Sequence, residues 1–456
     1  MVARGGNSRF LRSSADDQDD HKPRRWEAVV QRRRFLGLTA AGAATAALAP
    51  ALTACGSDGG SGSKTLRVVA ADYGDSEANS SKKYWDALAR DFEAENKGVK
   101  IDVQVLSWTE VDKKVADMVA AGKAPDIAQI GAYADFAAAG KLYSADQLLT
   151  IPTQADIIAP IARAGEVARV QYGLPFVSST RLLFYNKTLF AKAGIVKAPE
   201  SWDELQAAAK KLQTAGVKVP YGLPLGPEEA PAETMMWMLS GGSGYTDHNG
   251  TYTIQSTENV ETFTWLRDEL VGKGLTGSMD PSRTNRQNVF DAFCRGEVGM
   301  LNGHPTLMKQ AEAKGIKYGT APLPGKKGKA KATMGVADWI MAFKAGGNRE
   351  EIGRFLDFVY STKNVLAFTN QYDLLPVTTS ASEKMAGDSR KKHLQPFLAQ
   401  LENAEFYPVD KTSWAKVSKA LKEKMGSVVV KGGDAASVLG EIQREADATE
   451  LAGHGK

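Results

Sequence analysis

The chain has 456 residues, 43% of them hydrophobic and 24% charged, a balance that excludes a disordered or fibrous protein and a length that calls for two packed bodies. The formal net charge of +4 lies entirely in residues 1–54, which hold nine Lys/Arg against five Asp/Glu, so the basic balance is no sign of nucleic-acid binding. Two cysteines, Cys55 and Cys294, and five histidines without metal-ligand spacing leave zinc no ligand set.

Arg32-Arg33-Arg34-Phe35-Leu36 opens an Ala-rich, weakly apolar run that ends in Leu52-Thr53-Ala54-Cys55. Phe35 to Ala54 is long enough to span a membrane, but Pro50 and the abrupt Gly/Ser sequel fit a removed export segment better. Residues 56–63 are Gly/Ser with one Asp, a flexible tether.

Leu66 to Ala71 reads as a strand covered on both faces. Ser81 opens a helix with Trp85, Leu88, Ala89 and Phe92 on one face, ending near Gly98. Ile101, Val103 and Val105 alternate as a strand, Val111, Val115, Met118 and Val119 mark a helix stopped by Gly122, and Asp126 to Ile130 is the next strand. This βαβαβ rhythm implies a parallel sheet with its ligand edge at the strand C-termini. The loops from Asp72 to Asn79, Ser107 to Thr109 and Gly131 to Asp135 should share that edge.

From Gln171 to Leu205 the chain reads as a strand through Leu182-Leu183-Phe184-Tyr185, a pause at Asn186, a short helix closed by Gly194, and a longer helix after Pro199. Ser201 and Glu204 have the spacing of a capping box, and Trp202, Leu205, Ala209 and Leu212 share a face. Helices follow over Thr234–Leu239, around Val260, Phe263, Leu266 and Leu270, and over Asn285–Arg295, then a glycine-punctuated strand from Gly296 to Gly303. Gly325 to Lys331 is a basic hairpin tip and Thr333 to Phe343 a strand. Helical faces close the chain at Trp414, Val417, Leu421 and Met425 and at Val438, Leu439 and Ile442.

Gly272-Lys273-Gly274-Leu275-Thr276-Gly277 has dinucleotide-fingerprint spacing but follows a helix, which removes the mechanism for holding a pyrophosphate. No nucleophile elbow, phosphate loop or zinc-protease helix appears, so no catalytic residue, metal or cofactor is expected. Pairing of carboxylates across a cleft is not readable, which leaves a glycosidase open. Aromatic and polar residues do collect at the expected cleft edges, as a sugar site requires: flat platforms for C–H faces and hydrogen-bonding side chains for hydroxyls. Trp108 fits either a stacking platform or a staple on the following helix. Tyr133 and Asp135 fit ligand contact or helix capping, while Trp237 fits the core.

The string Tyr185-Asn186, Gly194, Pro199 and Ser201-Trp202-Asp203-Glu204 resembles the lobe crossing of extracellular solute-binding proteins of ABC importers, the maltodextrin-binding type. The resemblance extends from Leu66 to Ala448 and implies an α/β, two-lobe periplasmic-binding-protein fold, each lobe a mainly parallel sheet flanked by helices, joined by a multi-strand hinge. It places 64–177 and 318–376 in the N-terminal lobe and 178–317 and 377–456 in the C-terminal lobe, with Leu374-Leu375-Pro376-Val377 a return crossing. The arginines resemble a twin-arginine signal and Leu52-Thr53-Ala54-Cys55 a lipobox, giving a signal peptide over 1–54, a lipid on Cys55 and a tether over 55–63. Cys294 then has no intramolecular partner.

By the same resemblance the protein is a monomeric, extracytoplasmic receptor, anchored to the cell membrane by lipid, that delivers a carbohydrate, in the first instance an oligosaccharide, to an ABC permease and its ATPase. It is not an enzyme, and neither nucleic acid nor a cofactor is involved. The implied ligand contacts are Asp72, Trp108, Tyr133, Asp135, Ser179, Arg181, Glu233, Gly303, His304, Asp338, Trp339 and Trp414. Maltodextrin binders carry a stacking tryptophan shortly after the turn where this chain has His304-Pro305-Thr306, which suggests a different sugar. Arg181 also fits an ion pair between lobes, Glu233 a helix N-terminus and Trp414 the core. An exported hydrolase or a ligand sensor for a membrane signalling protein would share much of this pattern.

Overall fold

A computed structural model describes residues 64–454, apart from 75, 76 and 109. The export segment, Cys55 and the tether lie outside the described residues.

The chain first lays down β1 (Lys64–Ala71), α1 (Lys82–Glu95), β2 (Val99–Leu106), α2 (Val111–Ala120) and β3 (Ile127–Ile130), and β1 pairs in parallel with both β2 and β3. Helix α1 forms because Trp85, Leu88 and Phe92 fall on one stripe, and all three are buried against the sheet. Trp85 is fully buried and stacks on Phe176 at 5.3 Å between ring centres. Each large side chain buried in this way contributes about 1.5–3 kcal/mol, more than the helix gains from propensity. Gly98, at φ +88°, makes the turn into β2.

β4 (Leu174–Thr180) belongs to the same sheet, and after the single residue Arg181 the chain enters β5 (Leu182–Asn186) of a second sheet. Asn186 ends β5 by accepting the N–H groups of Thr188 and Leu189 at 3.0 and 3.1 Å. Ser201 caps α3 (Trp202–Thr214) through the N–H of Glu204, while the Glu204 carboxylate reaches the N–H of Glu200 at 2.8 Å. The expected capping box therefore closes one residue early.

The second lobe continues with β6 (Val219–Gly222), α4 (Ala230–Gly241), α5 (Arg286–Cys294), β7 (Val298–Gly303), α6 (Pro305–Ala313) and β8 (Tyr318–Ala321), in sheet order β8-β5-β7-β6. Only β6 and β7 pair in parallel; β5 runs antiparallel to both β7 and β8. The mainly parallel expectation holds for β1 to β3 and is corrected here: β6, β7 and β8 run one way, each after a helix, and β5, which enters straight from the first sheet, runs against them. Tyr318–Ala321 pairs with β5, so the chain returns to the first sheet after Ala321, not before Tyr318 as expected.

β9 (Thr333–Ala342) completes the first sheet, antiparallel to β3 and to β4 and parallel to the short β10 (Ala404–Glu405). Its register against β4 slips between Asp338 and Trp339, a bulge of the kind that re-aims side chains. Leu375 exchanges two 2.9 Å backbone hydrogen bonds with Ser178 of β4, and β10 still joins the first sheet at Ala404–Glu405. The return crossing expected at 374–377, with 377 onward in the second lobe, is therefore corrected: pairing holds the chain to the first sheet as far as Glu405. The glycines at 272–277 serve a turn: Gly277 sits at φ +61°, and a Cβ there would come within 1.9 Å of the Lys218 carbonyl oxygen.

Candidate ligand cleft

The β4–β9 ladder organises the site. Directly opposed residues of an antiparallel pair point to one face, so Val177, Ser179 and Arg181 share a face with their partners Asp338 and Val336. Ser179, Val336 and Asp338 are only half-buried, so this face is reached by solvent. From Val177, opposite Asp338, to Arg181 is four residues of strand, about 13 Å. The far end lies where the chain leaves β4 of the first sheet for β5 of the second.

At the first-lobe end, the Tyr73 hydroxyl donates to Asp338 Oδ2 at 2.6 Å and accepts from Gln129 Nε2 at 3.1 Å. Burial pushes the Asp338 carboxyl up to about 6, with the Tyr73 bond opposing it and Asp112 adding to it. The Tyr73 ring packs edge-on against Trp108 at 5.3 Å and Phe368 at 5.0 Å. Trp108 is half-exposed at this edge and packs against the first core.

At the second-lobe end, Arg181 is 7% exposed, and its Nη1 donates to Ser179 Oγ at 3.0 Å. Its backbone carbonyl accepts from Thr333 Oγ1 at 2.8 Å, tying two crossings together. Arg181 lies within electrostatic reach of Glu229, Tyr407, Arg286 and Glu233. Glu233 Oε1 accepts from Trp237 Nε1 at 2.8 Å and from Asn302 Nδ2 at 3.1 Å, and burial pushes its carboxyl up to about 8 against those bonds. Arg286 binds Glu228 at 2.8 Å and Glu229 at 3.4 Å. His304 packs on Phe290 at 5.1 Å, and burial, then Arg181 and Arg286, hold its imidazole well below the usual range. Tyr407 carries this cluster to an open groove of about 530 Å³, lined also by Arg163, His248, Lys331 and Asp410.

The residues singled out in the sequence divide accordingly. Trp108, Asp338, Ser179, Arg181, Glu233 and His304 gather at the two ends of the ladder face. The Asp72 carboxylate is occupied locally, accepting from Ser80 Oγ at 2.7 Å and from the N–H groups of Gly74 and Ser81 at 3.0 and 2.8 Å. Burial raises its pKa, but these bonds outweigh that and the net direction is down. Tyr133 and Trp339 pack on each other at 5.2 Å in the first-lobe core, with the Tyr133 hydroxyl donating to the Ala164 carbonyl at 2.5 Å. Asp135 stands exposed in the first turn of a short helix over Ala134–Ala138. A Cβ on Gly303 would come within 2.8 Å of the Phe184 ring, so this glycine lets β7 pack closely. Trp414 packs between Tyr407 at 4.9 Å and Tyr245 at 5.2 Å. Tyr73, Gln129, Glu229, Arg286 and Tyr407 were not foreseen; Tyr73, the second residue of a loop expected at the ligand edge, had the clearest signal.

The family model described as bacterial extracellular solute-binding protein matches residues 76–366. A chain of Brucella abortus (strain 2308) that is named as a binding protein is 30% identical over 391 residues, 84% of this chain and 92% of its own length. The sn-glycerol-3-phosphate-binding periplasmic protein UgpB of Salmonella typhi is 26% identical over 220 residues, 46% of this chain and 49% of that protein. Among solved structures, the sugar-binding protein MalE from Xanthomonas citri superimposes with a TM-score of 0.72 at 21% identity, covering 85% of this chain and 98% of that chain, a likeness of fold. On the extent of the family match and the shared two-lobe architecture, the chain belongs to the bacterial extracellular solute-binding proteins.

Proposed function

We propose that this protein is an extracytoplasmic receptor that closes its two lobes on a carbohydrate and hands it, unaltered, to the permease and ATPase of an ABC importer. The observation that carries this reading is the ladder face with an aromatic edge and carboxyl at one end and an arginine cluster at the other, each end built by a different lobe. A ligand touching both ends stabilises the closed arrangement, and crossings at Arg181, at 322–332 and after Glu405 act as the hinge. The X. citri neighbour is named as a sugar-binding protein and the Salmonella relative as an sn-glycerol-3-phosphate-binding one, both ligands rich in hydroxyls. Trp108 stacks on a sugar face, and Asp338 takes hydroxyls, while the buried Gln129 holds the Tyr73 hydroxyl in place. In this reading the first lobe comprises β1 to β4 with β9 and β10, and the second β5 to β8. Cys55 carries lipid that fixes the tethered receptor, as a monomer, to the outer face of the cell membrane.

Thermal melting against a panel of mono- and oligosaccharides tests this: a ligand present at a hundred times its Kd adds about 2.7 kcal/mol of native-state stability. The same ligand should shrink the molecule in X-ray scattering, and Trp108→Ala should weaken its binding. A panel in which no sugar raises Tm, or a binder that leaves the scattering unchanged, would defeat the proposal.

A further inference from the structure

We propose that the natural ligand bears a negative charge, a carboxylate or a phosphate on a sugar, and that Arg181 at the second-lobe end of the cleft receives it. This rests on the carbohydrate-receptor reading above and narrows it.

Arg181 is 7% exposed, yet none of the ion pairs among the described residues, N···O within 4.0 Å, includes it. Its one hydrogen bond goes to a neutral hydroxyl, and its Nε has no partner. A buried guanidinium in that condition is costly unless something binds it. The two acidic groups on the adjacent turn, Glu228 and Glu229, are both engaged by Arg286.

The backbone adds to the positive field. Helices α4, α5 and α6, of 12, 9 and 9 residues, all begin at residues coupled to this guanidinium or beside one that is: Glu229 precedes α4, Arg286 opens α5 and His304 precedes α6. Three helix N-termini thus lie around one arginine, and each adds a partial positive charge, although the first-turn N–H groups of α4 are already taken by the Gly226 and Glu229 carbonyls. Arg286 stands at the first residue of α5, the end at which a helix dipole disfavours a cation, and its two glutamates and the Phe290 ring 5.1 Å beneath it offset that. None of the remaining titratable neighbours supplies a counter-charge at neutral pH: His304 is neutral, burial raises the Tyr407 phenol further, and Glu233 keeps its proton up to about 8.

A neutral hydroxyl can accept from Nε but leaves the charge standing. An oxyanion satisfies both, accepting from the planar guanidinium fork and balancing its charge. The first-lobe end has the opposite character: Asp338, Asp112 and Tyr73 suit hydroxyl donors and an apolar ring face. The ligand is therefore oriented, with its acidic group toward the second lobe and a neutral ring against Tyr73 and Trp108.

The test follows melting and calorimetric affinity of the protein with glucose, sodium glucuronate and glucose 6-phosphate at equal concentration, ionic strength being equalised with sodium chloride, and with maltose as a neutral disaccharide. One or both acidic sugars should bind at least about tenfold more tightly than glucose, the margin of charge-assisted over neutral hydrogen bonds. Which of the two does so identifies the carboxylate or the phosphate as the source. Arg181→Met should erase that preference, and should it fail to fold, the wild-type comparison decides alone. Equal shifts with glucose and its acidic counterparts, no shift with either acid, or a preference that survives Arg181→Met would overturn the inference. Stabilisation by maltose without any advantage for an acid would leave the carbohydrate reading standing; no response to any sugar would remove both.

Discussion

Replacing Glu233 by glutamine probes the energetics of the second-lobe cluster without a ligand. The side chain is 1% exposed, its Oε1 receives Trp237 Nε1 and Asn302 Nδ2, and burial lifts its carboxyl from 4.5 to about 8. The native state therefore keeps a proton that the unfolded chain releases once the pH exceeds 4.5. Stability falls as the pH rises from there to about 8 and is level above it. At about 1.36 kcal/mol per pH unit that window is worth at most roughly 5 kcal/mol, and local relaxation reduces it to about 2–5 kcal/mol. Glutamine mimics the protonated acid: its Oε1 accepts the same two donors and its amide replaces the hydroxyl. Glu233→Gln should thus match the wild type near pH 5 and exceed it by about 2–5 kcal/mol near pH 9. Urea denaturation followed by tryptophan fluorescence across that range measures both curves. Parallel curves, or a variant less stable at alkaline pH, would refute the argument that a buried carboxyl is being forced to ionise.

Trp85→Ala removes a fully buried ring stacked on Phe176 and should cost about 3–5 kcal/mol, read as a lower Tm and urea midpoint. Gly277→Ala puts a Cβ against the Lys218 carbonyl at φ +61° and should cost at least about 1–3 kcal/mol in the same assay, with no change in sugar affinity. Tyr73→Phe deletes the hydroxyl that donates to Asp338 and should destabilise the fold by about 1–3 kcal/mol. In that variant the Asp338 carboxyl loses the bond opposing its rise, so its titration should move above about 6, as carbon-detected NMR would record.

The parts of this molecule that were legible in advance are those encoded over a few turns or strands. Trp85, Leu88 and Phe92 on α1, and Trp202, Leu205, Ala209 and Leu212 on α3, are spaced for one face, and all are buried on it. Asn186 and Ser201 cap the helices they were expected to open, because a cap is a contact between near neighbours. Helix α4 hid its start at Glu229, since Ala230 through Ser240 are all buried and no polar face marks a period. The site was harder still. Tyr73 meets Asp338 across 265 residues, and Arg181 meets Glu229, Arg286 and Tyr407 only because three helices and a late loop converge. Four residues from Tyr318 carry no pattern that says which sheet they join. Aromatic identity alone did not separate Trp108, at the rim, from Trp339, in the core.

Strand β9 pairs with β3 on one side and β4 on the other, although all four strands of the second sheet lie between β4 and β9 in the chain. A ribosome making this protein has therefore to make β5 to β8 before the earlier body can close. Fragments that stop short of Thr333 keep an open seam between β3 and β4, with unpaired strand edges exposed to other chains. Nicking or truncating the polypeptide anywhere before Ala342 is thus damage to its beginning as much as to its end.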